Sequence, residues 1–234
     1  MILQVSNLST FYAQSQALFD LNLTIEAGQV TALLGRNGMG KTTTIHSIMG
    51  IQNASTGSIR YQGEEISKLA SFSIAKLGLG LVPEGRQIFP NLTVRENLVA
   101  TASNRLAKAN PWTIERVLHM FPSLDSRISA MGNLLSGGEQ QMLAIARALM
   151  TNPNLLILDD ATEGLAPLVR QDIWRALQAL KDEGMSILIV DKNLNDLMTL
   201  ADRMTVIEKG VTVWSGDTHT FKQESWVQQK YLGI

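Results

Sequence analysis

Val30-Thr31-Ala32-Leu33-Leu34-Gly35-Arg36-Asn37-Gly38-Met39-Gly40-Lys41-Thr42 is the stretch that decides the fold of this chain. Residues Gly35 to Thr42 fit the pattern G-x-x-x-x-G-K-S/T, in which a Gly-rich loop closes its backbone N–H groups around phosphates. In that pattern Lys41 reaches the β and γ oxygens and the Thr42 hydroxyl holds Mg²⁺. An isolated match also arises by chance, so its setting matters. Here the apolar run Val30 to Leu34 reads as a strand entering the loop, and Thr43 to Met49 continues as a helix. The candidate phosphate-binding residues are Gly35, Arg36, Asn37, Gly38, Met39, Gly40, Lys41, Thr42 and Thr43.

Two further segments follow in order: Leu135-Ser136-Gly137-Gly138-Glu139-Gln140-Gln141, then Leu155-Leu156-Ile157-Leu158-Asp159-Asp160. Ser136 to Gly138 stand at the start of a predicted helix, where free N–H groups and the positive dipole end attract an anion. Taken alone, they equally suit an ordinary Ser N-cap. A buried strand ending on Asp159 and Asp160 does not fit a merely solvated face.

Composition narrows the classes. A chain of 234 residues buries one substantial core, or one domain carrying a subdomain. Twenty basic against twenty-one acidic residues leave no electrostatic footprint for nucleic acid. With no cysteine, disulfides and thiolate zinc sites are excluded. No Lys or Arg precedes Arg36, so the basic start of a signal peptide is lacking. No apolar run nears the roughly 20 residues that cross a bilayer, so a membrane role is expected to come through a partner.

Antiparallel strands are predicted at Leu3 to Leu8, Leu21 to Ile25 and Ser58 to Tyr61. From about Phe89 to Thr151 the texture is helical, with helices predicted at Thr93 to Ala107, Thr113 to Phe121 and Glu139 to Met150. Alternation then resumes. Strands are predicted at Leu155 to Leu158, Ser186 to Val190, Thr205 to Ile207 and Val211 to Trp214, with helices at Leu168 to Glu183 and Leu194 to Ala201. Such alternation implies a parallel sheet covered by helices, and Gln223 to Leu232 reads as a terminal helix.

The three segments together resemble the ATP-binding-cassette (ABC) ATPases over nearly the whole chain. The resemblance implies an α/β fold, with a P-loop NTPase (RecA-like) core and antiparallel β subdomain at 1–88 and 152–234 and a helical subdomain at 89–151. It implies ATP and Mg²⁺ as cofactors. It also implies that Ser136, Gly137, Gly138 and Glu139 contact the γ-phosphate held by a second ABC subunit, so that two chains enclose two ATP molecules. Tyr12 matches the aromatic that stacks on adenine, although core packing is the other reading of that side chain. Asp159 matches the carboxylate that holds Mg²⁺ through water, and Asp160 the one that polarises the attacking water. Glu84 stands where most members have a Gln that senses the γ-phosphate and the metal.

Val82-Pro83-Glu84-Gly85-Arg86 and Thr162-Glu163-Gly164-Leu165-Ala166-Pro167 resemble the subfamily that energises branched-chain amino acid importers. Two positions depart from the family. Asp160-Ala161 replaces the usual Glu-Pro, and Lys192 replaces a His or Gln. Lys192 is either a charge for the γ-phosphate or a solvated loop residue. The resemblance implies an ATPase at the cytoplasmic face of the cell membrane, partnered by a like or related cassette, by permease subunits and indirectly by a solute-binding protein. Amino acids lead as cargo, with urea or amides as competitors. Two other readings stand: an ATP-dependent clamp with little hydrolysis, and a soluble ABC ATPase without transport.

Overall fold

The computed structural model describes residues 1–233, which build two sheets. Strands β1 (Leu3–Tyr12) and β2 (Ser15–Ile25) form a hairpin about Ala13-Gln14, with Ala13 in the left-handed region. Strand β3 (Val30–Leu34) leads through the Gly-rich loop into α1 (Lys41–Ile48). Strands β4 (Ala54–Tyr61) and β5 (Glu64–Glu65) complete an antiparallel sheet of order β2-β1-β4-β5. Helix α2 (Ser71–Lys76) and strand β6 (Leu79–Val82) follow.

Between β6 and the next strand come α3 (Val94–Thr101), α4 (Ile114–Met120), α5 (Pro122–Asp125) and α6 (Gly137–Leu149). Then β7 (Leu155–Leu158), α7 (Pro167–Asp182), β8 (Ser186–Ile189), α8 (Leu194–Leu200), β9 (Arg203–Glu208) and β10 (Val211–Asp217) alternate. The second sheet has the order β10-β9-β3-β8-β7-β6. Helices α9 (Thr218–Gln223) and α10 (Ser225–Val227) and a π turn over Gln228–Leu232 follow.

Strands β3, β7 and β8 are buried on both faces, which is why their sequences run apolar without alternation. Leu33, Ile157 and Leu188 point to a core shared with α1 and the antiparallel sheet, including Ile45, Leu8 and Leu23. Their neighbours Leu34, Leu158 and Ile189 point the other way, into a core with α6, α7 and α8. Each such fully buried Leu or Ile contributes about 1.5–3 kcal/mol.

Three expectations need correction, and one strand was not foreseen. The helix predicted to Ala107 ends at Thr101, because Thr101 Oγ1 donates to the Arg147 carbonyl (3.1 Å) and Ser103 N to that of Met150 (2.9 Å), docking the chain along α6. Strand β6 escaped the sequence reading because Gly78 and Gly80 break its apolar run. Gly80 lets Pro153 pack close, since a Cβ would lie 3.0 Å from the Pro153 side chain. Strand β10 runs antiparallel to β9, as the short Lys209-Gly210 turn demands, so the sheet is mixed rather than wholly parallel. The predicted terminal helix is broken at Glu224, whose carboxylate accepts from Trp214 Nε1 (2.6 Å).

Glu65 stitches the edge of the first sheet. Burial works to raise its pKa, but donation from the Ser58 and Ser67 hydroxyls and the Ile59 and Ser67 amides prevails and holds it at about 2. A carboxylate depressed below its unfolded value of about 4.3 stabilises the fold above that pH, and the contribution is lost as pH falls toward 2. The group is largely exposed, so Glu65→Gln should cost only about 1 kcal/mol at neutral pH. Urea midpoints of variant and wild type should converge as pH falls from 5 toward about 2.

Candidate functional site

Strands β3, β8, β7 and β6 are successive neighbours, and the loops leaving their C-terminal ends meet in one cavity of about 650 Å³. Ligands of open α/β sheets bind at such strand ends. The loop after β3 supplies Asn37, Gly38, Gly40, Lys41, Thr42 and Thr43, that after β7 Asp159, Asp160 and Glu163, that after β6 Glu84, and that after β8 Lys192.

Two glycines shape the first loop. A Cβ on Gly35 would stand 2.5 Å from the Ile207 carbonyl oxygen, and one on Gly40 would stand 2.8 Å from Leu18. Gly40 also has φ 107°, a conformation costly for any residue with a Cβ. The loop is tied down from outside: Gly210 N donates to the Met39 carbonyl, and the Gly210 carbonyl accepts from Phe19 N, both at 2.9 Å. Lys41 Nζ lies inside it, donating to the carbonyls of Gly35 (2.8 Å) and Arg36 (3.0 Å). Burial lowers its pKa from the ordinary value, against the pull of Asp160 and Asp159.

Asp159 is almost fully buried and has its pKa raised by that burial, opposed by the adjacent Thr42 hydroxyl. Thr42, Asp159 and Glu84 form an all-oxygen donor set with excess negative charge, which fits a hard divalent cation. Asp160 has φ 52°, unusual for a residue with a side chain. Burial first, then the hydrogen bond and charge of Glu163, push its carboxyl up to about 6. Carboxylate oxygens of Glu84, Asp160 and Glu163 lie within 4.8 Å of one another. Lys192 is exposed and pairs with Glu163, which further raises its pKa.

Ser136 caps α6 in a reciprocal box: its Oγ accepts from Glu139 N (3.3 Å), and Glu139 Oε2 accepts from Ser136 N (2.7 Å). Gly137 is covered by the Arg86 guanidinium and Gly138 by Val169, each so closely that a Cβ would collide. None of residues 136–139 lines the phosphate-loop cavity of its own chain. Neither do Gly35, Arg36 and Met39, which shape the loop from behind.

Tyr12 ends β1 at 44 % exposure, so it is not packed in the core. It pairs in register with Ser15, which does line the cavity. Sequence reasoning missed Phe19, Lys209 and Glu163 as lining residues. The first two arrive only because the β9–β10 turn bonds to β2, a contact with no local signal.

A phosphate loop facing two acids at the ends of parallel strands, with a capped Ser-Gly-Gly helix start outside that cavity, defines a P-loop ATPase cassette. The sequence profile described as "ABC transporter" matches residues 18–163. The high-affinity branched-chain amino acid transport ATP-binding protein BraG of Pseudomonas aeruginosa is 39 % identical over 99 % of this chain and 100 % of its own length. The lipopolysaccharide export ATP-binding protein LptB of Escherichia coli is 34 % identical over 99 % and 97 %. A solved nucleotide-free ATP-binding cassette from an ABC transporter superposes with TM-score 0.86 at 25 % identity, covering 99 % of this chain and 97 % of that one. The chain belongs to the ABC transporter family and is one of its ATP-binding, ATP-hydrolysing subunits.

An exposed phenol next to the cavity is available for stacking. Tyr12→Ala should therefore weaken ATP and GTP binding alike, by about 1–3 kcal/mol, as read by titration calorimetry. Unchanged affinities would remove Tyr12 from the base site.

Proposed function

We propose that this chain is the ATPase subunit of a membrane importer for branched-chain amino acids or closely related small solutes. The observation that carries the cassette mechanism is that Ser136 to Glu139, at the capped start of α6, do not line the cavity that holds Lys41, in a chain of the ABC transporter family. A second cassette, like or related, then completes each site. ATP closes the pair, with the partner's helix start on the γ-phosphate, and hydrolysis reopens it. The helical stretch 89–151 carries that helix start and moves as a subdomain against the rest.

In hydrolysis Lys41 leaves the Gly35 and Arg36 carbonyls for phosphate oxygens, and the loop amides follow the same charge. Mg²⁺, held by Thr42, Asp159 and Glu84, supplies charge neutralisation at the phosphates when bound. Asp160 orients water toward the γ-phosphorus and takes its proton as the bond to ADP breaks. Lys192 adds positive charge opposite Glu84. Because Asp160 is one methylene shorter than the family's Glu, turnover is slow, and a nearly inert clamp is the second reading.

Force passes through another cavity of about 650 Å³, lined by Phe72, Leu79, Leu81, Phe89 and Leu106 and by Arg86 and Arg147. The Arg147 guanidinium lies over Phe89 at 4.1 Å and donates to the Gln87 carbonyl. This apolar groove, continuous with the Glu84 loop, receives a permease helix. No helix among the described residues is long and apolar enough to cross a membrane, so attachment to the inner face comes through that permease. The importer also draws on a solute-binding protein outside. The BraG likeness and the Glu163-Gly164-Leu165-Ala166-Pro167 loop favour branched-chain amino acids over lipid export.

Three measurements test this. Chains copurifying from membranes should include permease subunits, and deletion should abolish branched-chain amino acid uptake; intact uptake would overturn the cargo. In the assembled transporter, Asp160→Glu should raise kcat with little change in ATP affinity. Asp160→Asn should lower it about 10²-fold and accumulate closed dimer. Wild-type kcat in both would dismiss Asp160 as the residue orienting water.

A further inference from the structure

We infer that Asp191 is a positioning residue for ATP hydrolysis, a clasp that fixes the loop bearing Asp160 and Glu163 against the loop bearing Lys192. The inference deepens the ATPase reading above and rests on it.

Strands β7 and β8 end at Leu158 and Ile189, but their parallel pairing runs slightly further. Val190 N donates to the Leu158 carbonyl (2.9 Å), and Ala161 N to that of Val190 (3.3 Å). There the main-chain ladder stops and one carboxylate takes over. Asp191 Oδ2 accepts from Thr162 N (2.8 Å) and Thr162 Oγ1 (2.6 Å). Asp191 Oδ1 accepts from Asn193 N (2.8 Å) and Asn193 Nδ2 (2.7 Å), and that amide also donates to Thr162 Oγ1 (2.9 Å). Thr162 is 1 % and Asp191 8 % exposed.

Asp191 does not line the phosphate-loop cavity, so it acts through its neighbours. Those neighbours are Asp160 and Glu163, which flank Thr162 in the chain, and Lys192, which follows Asp191; all three line the cavity. The Lys192–Glu163 pair closes the same juncture from the solvent side. A left-handed Asp160 persists only where its surroundings over-determine it, and the Thr162 bonds begin two residues away. Charge-assisted bonds to one ion are about twice as strong as neutral ones, and a fully satisfied buried network holds one geometry. A neutral hydroxyl at position 191 could not accept from four donors.

The test is a set of near-isosteric variants in the assembled transporter. Asp191→Asn turns an amide donor against donors already aimed at one of its two oxygens. Thr162→Val removes one hydroxyl, whereas Thr162→Ser keeps it. A misplacement near 1 Å predicts kcat lower by about 10- to 100-fold in Asp191→Asn and Thr162→Val, with ATP affinity changed by less than about twofold. Thr162→Ser should keep wild-type kcat. A merely structural role would lower the melting temperature and the fraction of protein binding ATP, while leaving kcat per bound site unaltered; that result would overturn the proposal. Amide hydrogen exchange over residues 160–163 with ATP bound should speed up in Asp191→Asn, and unchanged exchange would also overturn it. Absence of turnover in the wild type would instead sink the ATPase reading, with exchange still deciding the clasp.

Discussion

Burial of β3, β7 and β8 on both faces is the constraint from which the rest of this molecule follows. Strands enclosed on two sides offer a ligand only their ends. Because β3, β8, β7 and β6 are adjacent and parallel, their C-terminal ends deliver the phosphate loop, Lys192, the two aspartates and Glu84 to one place. The antiparallel sheet contributes from outside, through the bonds that join β2, the β9–β10 turn and Met39. A loop that must cradle phosphate with backbone amides is thereby held before any nucleotide arrives.

The site carries its charge in a compact form. Glu84, Asp160 and Glu163 crowd together, with Lys192 paired to Glu163 and Lys41 close to Asp160 and Asp159. Burial first raises Asp159 and Asp160, helped by the charge of Glu84 at Asp159 and by the hydrogen bond and charge of Glu163 at Asp160. Lys192 is paired with Glu163 in the same structure, so part of its charge is already neutralised there. Asp160 and Lys192, both singled out in the sequence, sit in this cluster beside Glu163.

Much of this was legible in the chain itself. The strand, loop and helix around Gly35 to Thr42 and the acids after Leu158 are local patterns, and the comparisons bear out the fold and family they imply. What sequence did not reveal depended on contacts between distant segments. Strand β6 hides behind Gly80, whose missing side chain makes room for Pro153. Phe19 and Lys209 reach the cavity through the Gly210 junction, and α3 stops where it meets α6. The Asp191 network was invisible for the same reason, since a carboxylate bonded across 29 residues leaves no periodicity.

Each catalytic site is proposed to be built from two chains, with Lys41 from one and Ser136 from the other. The most direct measurement is ATP turnover after mixing Lys41→Ala and Ser136→Arg proteins, each inactive alone, in the presence of the permease. Mixing is expected to restore turnover, because the hybrid pair regains one intact composite site. A mixture no more active than its components, although hybrid pairs are shown to form, would contradict it.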